Sequence, residues 1–251
     1  MSSSELFWNA SLEELKQGYM FDQHVYTCLL CGKQTEKGIV YSEKEVFYEA
    51  ERFMRRHIEA AHESVFSYLI QLNKKLTGLT EHQNSLLQLF YEGRSDSEVQ
   101  KELGIGSAST IRNHRFALKE KERQAKIFLA MMELLKEKDR HAPSFVELHQ
   151  TATMVDDRYN ITHDESEKVI GKYFPEGPQG ALKSFPLKEK NKLVILRELV
   201  KRFSSERKYT EKEVNEVLKQ IFHDHVTLRR YLIEYGFLDR LPDGSEYWVK
   251  A

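Results

Sequence analysis

The spacing of apolar and polar positions predicts a mainly helical chain, most clearly in its second quarter. Four apolar residues recur at helical spacing between residues 81 and 92 and give one face of a helix: Leu86, Leu87, Leu89 and Phe90. Ser95 followed by Glu98 is the signature of a capping box, so a second, short helix is expected to begin there. Gly104 suits a tight turn, because glycine adopts positive φ without a steric penalty. A third helix is expected to begin at residues 107–109.

The first turns of this third helix carry residue types that hydrogen-bond to base edges and phosphates. We therefore expect the helix at about 108–121 to read double-stranded DNA through Ser109, Thr110, Arg112, Asn113 and Arg115. Between residues 108 and 126 there are six basic residues and only two acidic ones, Glu120 and Glu122. No carboxylate lies close in sequence to the two arginines, which favours them as the DNA contacts.

The order of residue types across this region resembles the LuxR/GerE class of bacterial DNA-binding domains. The resemblance covers about a sixth of the chain, and its residues are Leu79-Thr80, Leu86-Leu87, Gly93, Ser95, Glu98-Val99, Leu103-Gly104-Ile105 and Thr110 to Arg115. It implies a helix-turn-helix fold and a role in transcription regulation. The turn before Thr110 has one residue more than is usual in that class, so we expect the start of the recognition helix to be shifted.

Helical spacing continues from Arg123 to Lys138 with a wide apolar face, formed by Ile127, Leu129, Ala130, Met131, Leu134 and Leu135. Two interpretations are open. This segment closes the core of the DNA-binding domain, or it pairs with a second copy of the chain in a homodimer, as helix-turn-helix proteins do to read two half-sites.

Both cysteines lie in one C-x2-C motif, and two histidines follow it on a predicted helix. The residues Cys28, Cys31, His57 and His62 have the spacing C-x2-C-x25-H-x4-H. Two thiolates and two imidazoles suit tetrahedral zinc, so we predict a zinc site. A redox C-x-x-C pair and two free thiols with unrelated histidines are the alternatives.

The surrounding pattern predicts a small ββα module similar to a zinc finger, with strands at 24–29 and 38–41 and a helix from Glu43 to about Leu72. Histidines five residues apart on a straight helix point about 140° from each other. The helix is therefore expected to loosen or break near Glu59 to Ala61. The predicted helix begins with four glutamates, which DNA phosphates would repel: Glu43, Glu45, Glu49 and Glu51. The zinc site is therefore expected to stabilise a small domain, and its helix is not expected to read bases.

The C-terminal quarter predicts three helices followed by a hairpin, which is the layout of a winged-helix domain. The helices are expected at 188–203, 210–222 and 224–235, and Asp243-Gly244 marks the turn between two apolar segments. This part resembles an uncharacterised domain fused to bacterial regulator DNA-binding domains. The residues that carry the likeness are Phe185-Pro186, Lys192, Asp224-His225, Leu228-Arg229-Arg230, Gly236, Arg240, Asp243-Gly244 and Tyr247.

The segment from Leu182 to Arg240 has 14 basic and 9 acidic residues, a net charge of +5. Arg229 and Arg230 on the third of these helices and Arg240 on the wing are therefore expected to contact DNA. The alternative is that the arginine pair forms ion pairs with Asp224 and Glu234 on its own helix.

The expected organisation is a zinc-finger-like module at 1–75, a helix-turn-helix domain with its following helix at 76–138, a helical linker region at 139–184 and a winged-helix-like domain at 185–251. Within the linker region, helices are expected after Pro143 and after Thr162, and residues 175–184 are expected to be a linker rich in Pro and Gly.

Composition adds mainly exclusions. The net charge is −1, which argues against general binding of polyanions. No apolar run is long enough for a membrane span, and the N-terminus lacks the pattern of a signal peptide, so a cytoplasmic protein is expected.

Motifs for catalysis are lacking apart from a weak acid/base cluster, Asp156-Asp157 with His149 and His163, so an enzyme is not expected. The sequence favours a bacterial transcriptional regulator, and a zinc-dependent protein-interaction adaptor that does not bind DNA is the alternative.

Overall fold

The computed structural model describes residues 3–205 and 207–250, and it is mainly helical with three small antiparallel sheets. The chain divides into two compact units. One combines residues 1–76 with residues 144–251, and the other comprises residues 77–143.

The N-terminal part of the first unit combines short helices with five strands. The helices are α1 (Ser3–Asn9), α2 (Leu12–Gln17), α3 (Ala50–His62), α4 (Val65–Ile70) and α5 (Lys74–Thr77). The strands β1 (Tyr19–Phe21), β2 (Val25–Cys28) and β3 (Gln34–Glu36) form one antiparallel sheet in that order, and β4 (Val40–Glu43) pairs with β5 (Val46–Glu49) in a hairpin.

The predicted strands at 24–29 and 38–41 overlap β2 and β4, but the ββα layout omits β1, β3 and β5 and is wrong in the start of its helix. Helix α3 begins at Ala50 and not at Glu43, because residues 40–49 form the β4–β5 hairpin. In this hairpin Tyr41 lies opposite Tyr48. Lys44 and Glu45 both have positive φ, +48° and +66°, as a two-residue hairpin turn requires. Of the four glutamates expected to open the helix, only Glu51 lies in its first turn.

In the second unit, three helices follow one another across short turns: α6 (Glu81–Tyr91), α7 (Asp96–Glu102) and α8 (Ala108–Lys136). Ser95 and Glu98 form the predicted capping box, and Ser107 caps α8 by accepting from the backbone N–H of Thr110. Gly104 has a φ of +63° in the turn before α8. One core holds the three helices together through Leu86, Leu89, Val99 and Ile111.

Helix α8 runs without interruption for 29 residues, so the two predicted helical segments are one. Its last three turns do not close the core of this unit, which corrects the first interpretation of that apolar face. Ile127 is 62% exposed and Leu134 is 63% exposed. The other exposed apolar residues there are Phe128, Leu129, Met131, Met132 and Leu135.

Residues 144–162 are extended or irregular, so the helix expected after Pro143 is absent. The backbone N–H groups of Val146 and His163 donate to Ile161 and Ser144, and this pairing holds the segment extended. A 3-10 turn covers Asp157–Tyr159. Helix α9 (His163–Tyr173) then begins after Thr162, as predicted.

The C-terminal elements match the predicted order of three helices and a hairpin: α10 (Glu189–Val200), α11 (Glu211–Lys219), α12 (His225–Glu234), β6 (Leu238–Arg240) and β7 (Tyr247–Val249). Thr210 and Glu213 form the predicted capping box of α11. The segment 175–184, predicted as a linker, leads Leu182 into the core at 4% exposure, where its N–H donates to Ile221. Across the described residues, each helix is too short or too polar to cross a lipid bilayer.

Candidate metal centre and nucleic-acid interface

The two cysteines sit on a tight turn at the end of β2. The backbone N–H of Gly32 donates to Cys28 O at 2.8 Å, and the N–H of Cys28 donates to Lys33 O at 2.8 Å. Gly32 has a φ of +80°, which a residue with a side chain rarely adopts. The sequence C-x-x-C-G therefore folds into a turn that presents both sulfurs on one side.

Helix α3 carries the two histidines to this turn. Cys31 Sγ lies 3.1 Å from His57 Nε2, and Cys28 Sγ lies 3.7 Å from His62 Nε2. All four ligand atoms lie within 4.8 Å of one another. A tetrahedral zinc ion with ordinary Zn–S and Zn–N bonds needs ligand separations of about 3.3–3.8 Å. The cluster is thus arranged to hold a metal ion, and its donor set is compatible with zinc.

The two histidines reach the same point without the expected break at Glu59 to Ala61. Helix α3 instead ends at His62, and Glu63 directly after it has a φ of +58°. The rings of His57 and His62 are perpendicular, with centroids 5.2 Å apart. Because His62 is the terminal residue of the helix, its side chain is not held to the direction of a helix interior.

Burial and mutual hydrogen bonding distinguish the two thiols. Cys28 is fully buried and Cys31 is half-buried. The contact with Cys31 lowers the pKa of the Cys28 thiol, whereas the same contact and then burial raise the pKa of Cys31. The Cys28 thiol therefore loses its proton more readily than the Cys31 thiol, and a bound metal cation would require both as thiolates.

A second set of residues, which the sequence did not reveal, supports the cluster from the C-terminal part of the same unit. Tyr68 on α4 packs edge-on against His62, with ring centroids 5.9 Å apart, and its hydroxyl donates to Gln150 Oε1. Gln150 is 4% exposed, and its amide donates to Leu29 O. Local sequence patterns give no signal for contacts between residues more than 80 positions apart.

At the start of α8, the residues predicted to contact DNA divide into exposed and internally bonded side chains. Ser109, Arg112 and Asn113 are exposed, and Thr110 is half-buried with its hydroxyl 3.0 Å from Ser107 Oγ. Within the second unit, neither a hydrogen bond nor an ion pair to a described residue holds the guanidinium of Arg112.

Arg115 does have a carboxylate close by, which corrects the expectation from the sequence. Its Nη2 lies 2.7 Å from Asp96 Oδ1 on α7, and its guanidinium lies 3.6 Å from the ring centroid of Phe90 on α6. Arg115 therefore joins all three helices of the unit and remains 44% exposed.

The three arginines expected to contact DNA from the C-terminal domain also differ from one another. Arg229 is 15% exposed and pairs with Glu211 on α11 at 2.7 Å, not with Asp224 or Glu234 on its own helix. Its Nη1 also donates to Asn215 Oδ1. Arg230 and Arg240 are exposed.

Two residues of the weak acid/base cluster noted in the sequence, Asp156 and His149, have other partners in the structure. Asp156 pairs with Arg158 at 2.8 Å and caps the 3-10 turn. His149 is 7% exposed and stacks on Phe237 at a centroid distance of 4.0 Å.

Comparison with known proteins finds a similarity in the C-terminal part of the chain. Residues 181–249 match the family described as "Uncharacterized protein conserved in bacteria (DUF2087)". No curated protein and no solved structure matches the chain. The matched residues begin just before α10 and end with β7, so they include neither the metal cluster nor α6 to α8.

Proposed function

We propose that this protein is a cytoplasmic bacterial transcriptional regulator, in which α6, α7 and α8 form a helix-turn-helix and the first turns of α8 read double-stranded DNA. The observation that carries the proposal is the exposed polar surface at the start of α8. Arg112 and Asn113 lie there with side chains that face solvent, and they belong to the residue types that bind base edges. We place the function of this chain in binding and not in catalysis.

The zinc ion in this proposal is structural. Four protein ligands fill a tetrahedral coordination shell and leave no position for a substrate, which is the arrangement of a structural site. Cys28 lies in a core with Phe7, Leu29, Leu30 and Met54, so the ion would hold together a module of modest size. Zinc bound at Cys28, Cys31, His57 and His62 would stabilise the N-terminal part of the first unit.

A homodimer formed through α8 is the second element of the proposal. At about 100° per residue, Ile127, Met131 and Leu134 fall on one stripe, with Phe128 and Leu135 beside it. An isologous interface requires only that one such face meets its own copy, and the ion pair of Lys136 with Glu133 lies on the other, polar side of the helix. Two recognition helices would then address two half-sites.

The C-terminal domain is proposed to be winged-helix-like, with Arg230 and Arg240 as its DNA contacts. Both are exposed, on α12 and at the end of β6 respectively. Arg229 is proposed to orient α12 through its ion pair with Glu211 and to approach phosphate only at its exposed edge.

A different class of function, the zinc-dependent adaptor, is favoured by one specific observation. The hairpin β4–β5 exposes a group of apolar side chains, with Phe47 at 74% and Val40 at 65% exposure. Ile39 and Val46 are also exposed. Such a patch next to the metal module is typical of a surface that binds another protein.

Genomic footprinting of the tagged, zinc-loaded full chain separates the two proposals, followed by binding to a recovered site at several salt concentrations. A regulator is expected to protect discrete sites. The logarithm of its affinity for such a site should fall linearly with the logarithm of the salt concentration. The absence of protected sites, together with no salt-dependent binding to the bacterial DNA pool, would leave the adaptor.

A further inference from the structure

A cavity of about 680 Å³ lies within the first unit, and the four metal-ligand residues do not line it. Its walls come from α1, residues 146–151, α9, α10 and the end of the C-terminal hairpin. This volume falls in the range of small-molecule sites, about 300–1,000 Å³. Residues 181–249 supply only part of the lining, and the segments that precede the family match complete it.

Arg197 on α10 is the cation of this lining with no carboxylate within ion-pair distance among the described residues, although the carboxylates of Glu5 and Glu167 also line the cavity. Its Nη1 donates to Glu147 O, and the ion pairs among the described residues do not include it. The two lysines of the lining are already paired, Lys201 with Glu198 at 2.5 Å and Lys250 with Asp239 at 3.3 Å.

The surroundings of Arg197 are poorly solvated. Burial lowers the pKa of its guanidinium, and the charge of Glu5 on α1 acts in the opposite direction. A guanidinium offers five N–H donors in a planar fork that matches a carboxylate, and one carbonyl acceptor uses only one of them. A buried cation in this state is stabilised by an anion that brings two oxygens.

One part of the lining, apart from its carboxylates Glu5, Glu167 and Glu198, is suited to an apolar body next to that anion. Phe237 is 5% exposed and lines the cavity together with Ile170 and Val194, while Val146 and Val249 lie at its other sides. His149 stacks on Phe237 and presents a ring that burial keeps neutral. An apolar chain or ring would therefore contact uncharged side chains there.

We propose that this cavity binds a small organic carboxylate, with the carboxylate at Arg197 and its apolar body against Phe237 and Ile170. None of the described residues that line the cavity belongs to α8 or is one of the four metal-ligand residues. The site therefore does not depend on DNA binding by this chain.

Isothermal titration of the zinc-loaded full chain with octanoate tests the site, with octanamide as a neutral ligand of the same shape. We expect octanoate to bind at least about tenfold more tightly than octanamide, because the amide loses the charge-assisted contact. The Arg197→Gln variant should bind octanoate about as weakly as the parent protein binds octanamide. Arg202→Gln is the matched control, since Arg202 also donates to backbone carbonyls but does not line the cavity.

A second variant covers the case in which Arg197→Gln does not fold. Ser166 on α9 lines the cavity and is half-buried, so Ser166→Trp should fill the space and abolish octanoate binding while leaving zinc content and helical circular dichroism unchanged. Undiminished octanoate binding in either folded variant would overturn the proposal. Equal affinity for octanoate and octanamide, or no binding of octanoate at millimolar concentrations, would overturn it as well.

Discussion

The side-chain amide of Gln150 donates a hydrogen bond to the backbone carbonyl of Leu29 at 3.1 Å, between the two cysteines of the metal cluster. The other end of the same amide accepts from the hydroxyl of Tyr68. Its neighbour His149 hydrogen-bonds to Tyr235 O at 2.8 Å, inside the C-terminal core. One short segment therefore joins the metal cluster to the part of the chain that matches the bacterial family.

Loss of the metal is expected to loosen the C-terminal part as well as the cluster. The His57→Gln variant should bind far less than one zinc per chain, and His24→Gln, at an exposed histidine of the same module, should keep one zinc per chain. The Gln150 amide donates to Leu29 O and the ring N–H of Trp8 donates to Leu148 O at 2.7 Å, so the two parts are connected. Hydrogen exchange in α10 should therefore become faster in the first variant only. Elemental analysis and exchange mass spectrometry measure both effects. Unchanged zinc content in His57→Gln would contradict the metal site.

The Gln150→Leu variant tests the connection without removing a metal ligand. Leucine has a similar size but leaves Leu29 O and the Tyr68 hydroxyl without their partner, which should lower the free energy of unfolding by about 1–3 kcal/mol. The exposed residue Gln179 offers the matched control Gln179→Leu, for which no loss is expected. Chemical denaturation at constant zinc concentration gives both values. Equal stability of the two variants would mean that the connection contributes nothing.

The sequence was most informative where the signals are local. The capping boxes at Ser95 and Thr210 and the turn at Asp243-Gly244 depend on residues within three positions of each other, and the structure has helices and a hairpin at those places. The four metal-ligand residues were also found, because their chemistry restricts the residue types. Hairpin β4–β5 was missed, since its alternating glutamates and aromatic residues also fit the start of a helix.

Contacts over long sequence distances could not be predicted. Arg115 was expected to be free of carboxylates, yet α7 brings Asp96 to it from 19 positions away. The sequence offers Asp224 and Glu234 on the same helix as partners for Arg229, whereas its partner in the structure is Glu211 on α11. The packing of one helix on another decides such pairs, and no local pattern in a single sequence records it.

Arg112 and Arg115 are expected to differ in what their loss costs. Arg112→Ala should weaken specific DNA binding by about 1–3 kcal/mol and leave stability unchanged, because its exposed guanidinium forms no hydrogen bond or ion pair with a described residue of the unit. Arg115→Ala should also lower the stability of residues 77–143, since it removes the contacts with Asp96 and Phe90. Gel-shift titration and thermal unfolding separate the two effects. DNA affinity unchanged by Arg112→Ala would exclude α8 as the reading helix in the proposed orientation.

The apolar stripe of α8 is expected to hold two copies of the chain together. Met131→Lys places a charge in that stripe and should weaken dimerisation at least about tenfold, because the ammonium would be buried without a partner. Glu133→Gln changes the net charge by the same amount on the polar side of the helix and should leave the dimer intact. Sedimentation equilibrium measures both. A monomeric parent protein at micromolar concentration would contradict the homodimer.

Acid is expected to destabilise the first unit through His149. Burial lowers the pKa of His149 to about 4, with Arg197 acting in the same direction and the hydrogen bond to Tyr235 opposing it. In the unfolded chain a histidine has a pKa of about 6.5, so the unfolded state takes up the proton first as the pH falls. The neutral ring therefore contributes its full share to the free energy of unfolding above about pH 6.5, and this share is lost between about pH 6.5 and about pH 4.

A change from pH 7 to pH 5.5 covers about one pH unit of this range, which corresponds to a loss of about 1.4 kcal/mol in the free energy of unfolding. The parent protein should lose that much more stability over this interval than His149→Gln, whereas His223→Gln, at an exposed histidine, should behave like the parent. Urea unfolding at the two pH values and equal zinc concentration cancels the titration of the metal ligands, which all three proteins share. An identical loss in the parent and in His149→Gln would show that the buried ring is protonated as easily in the fold as in the unfolded chain.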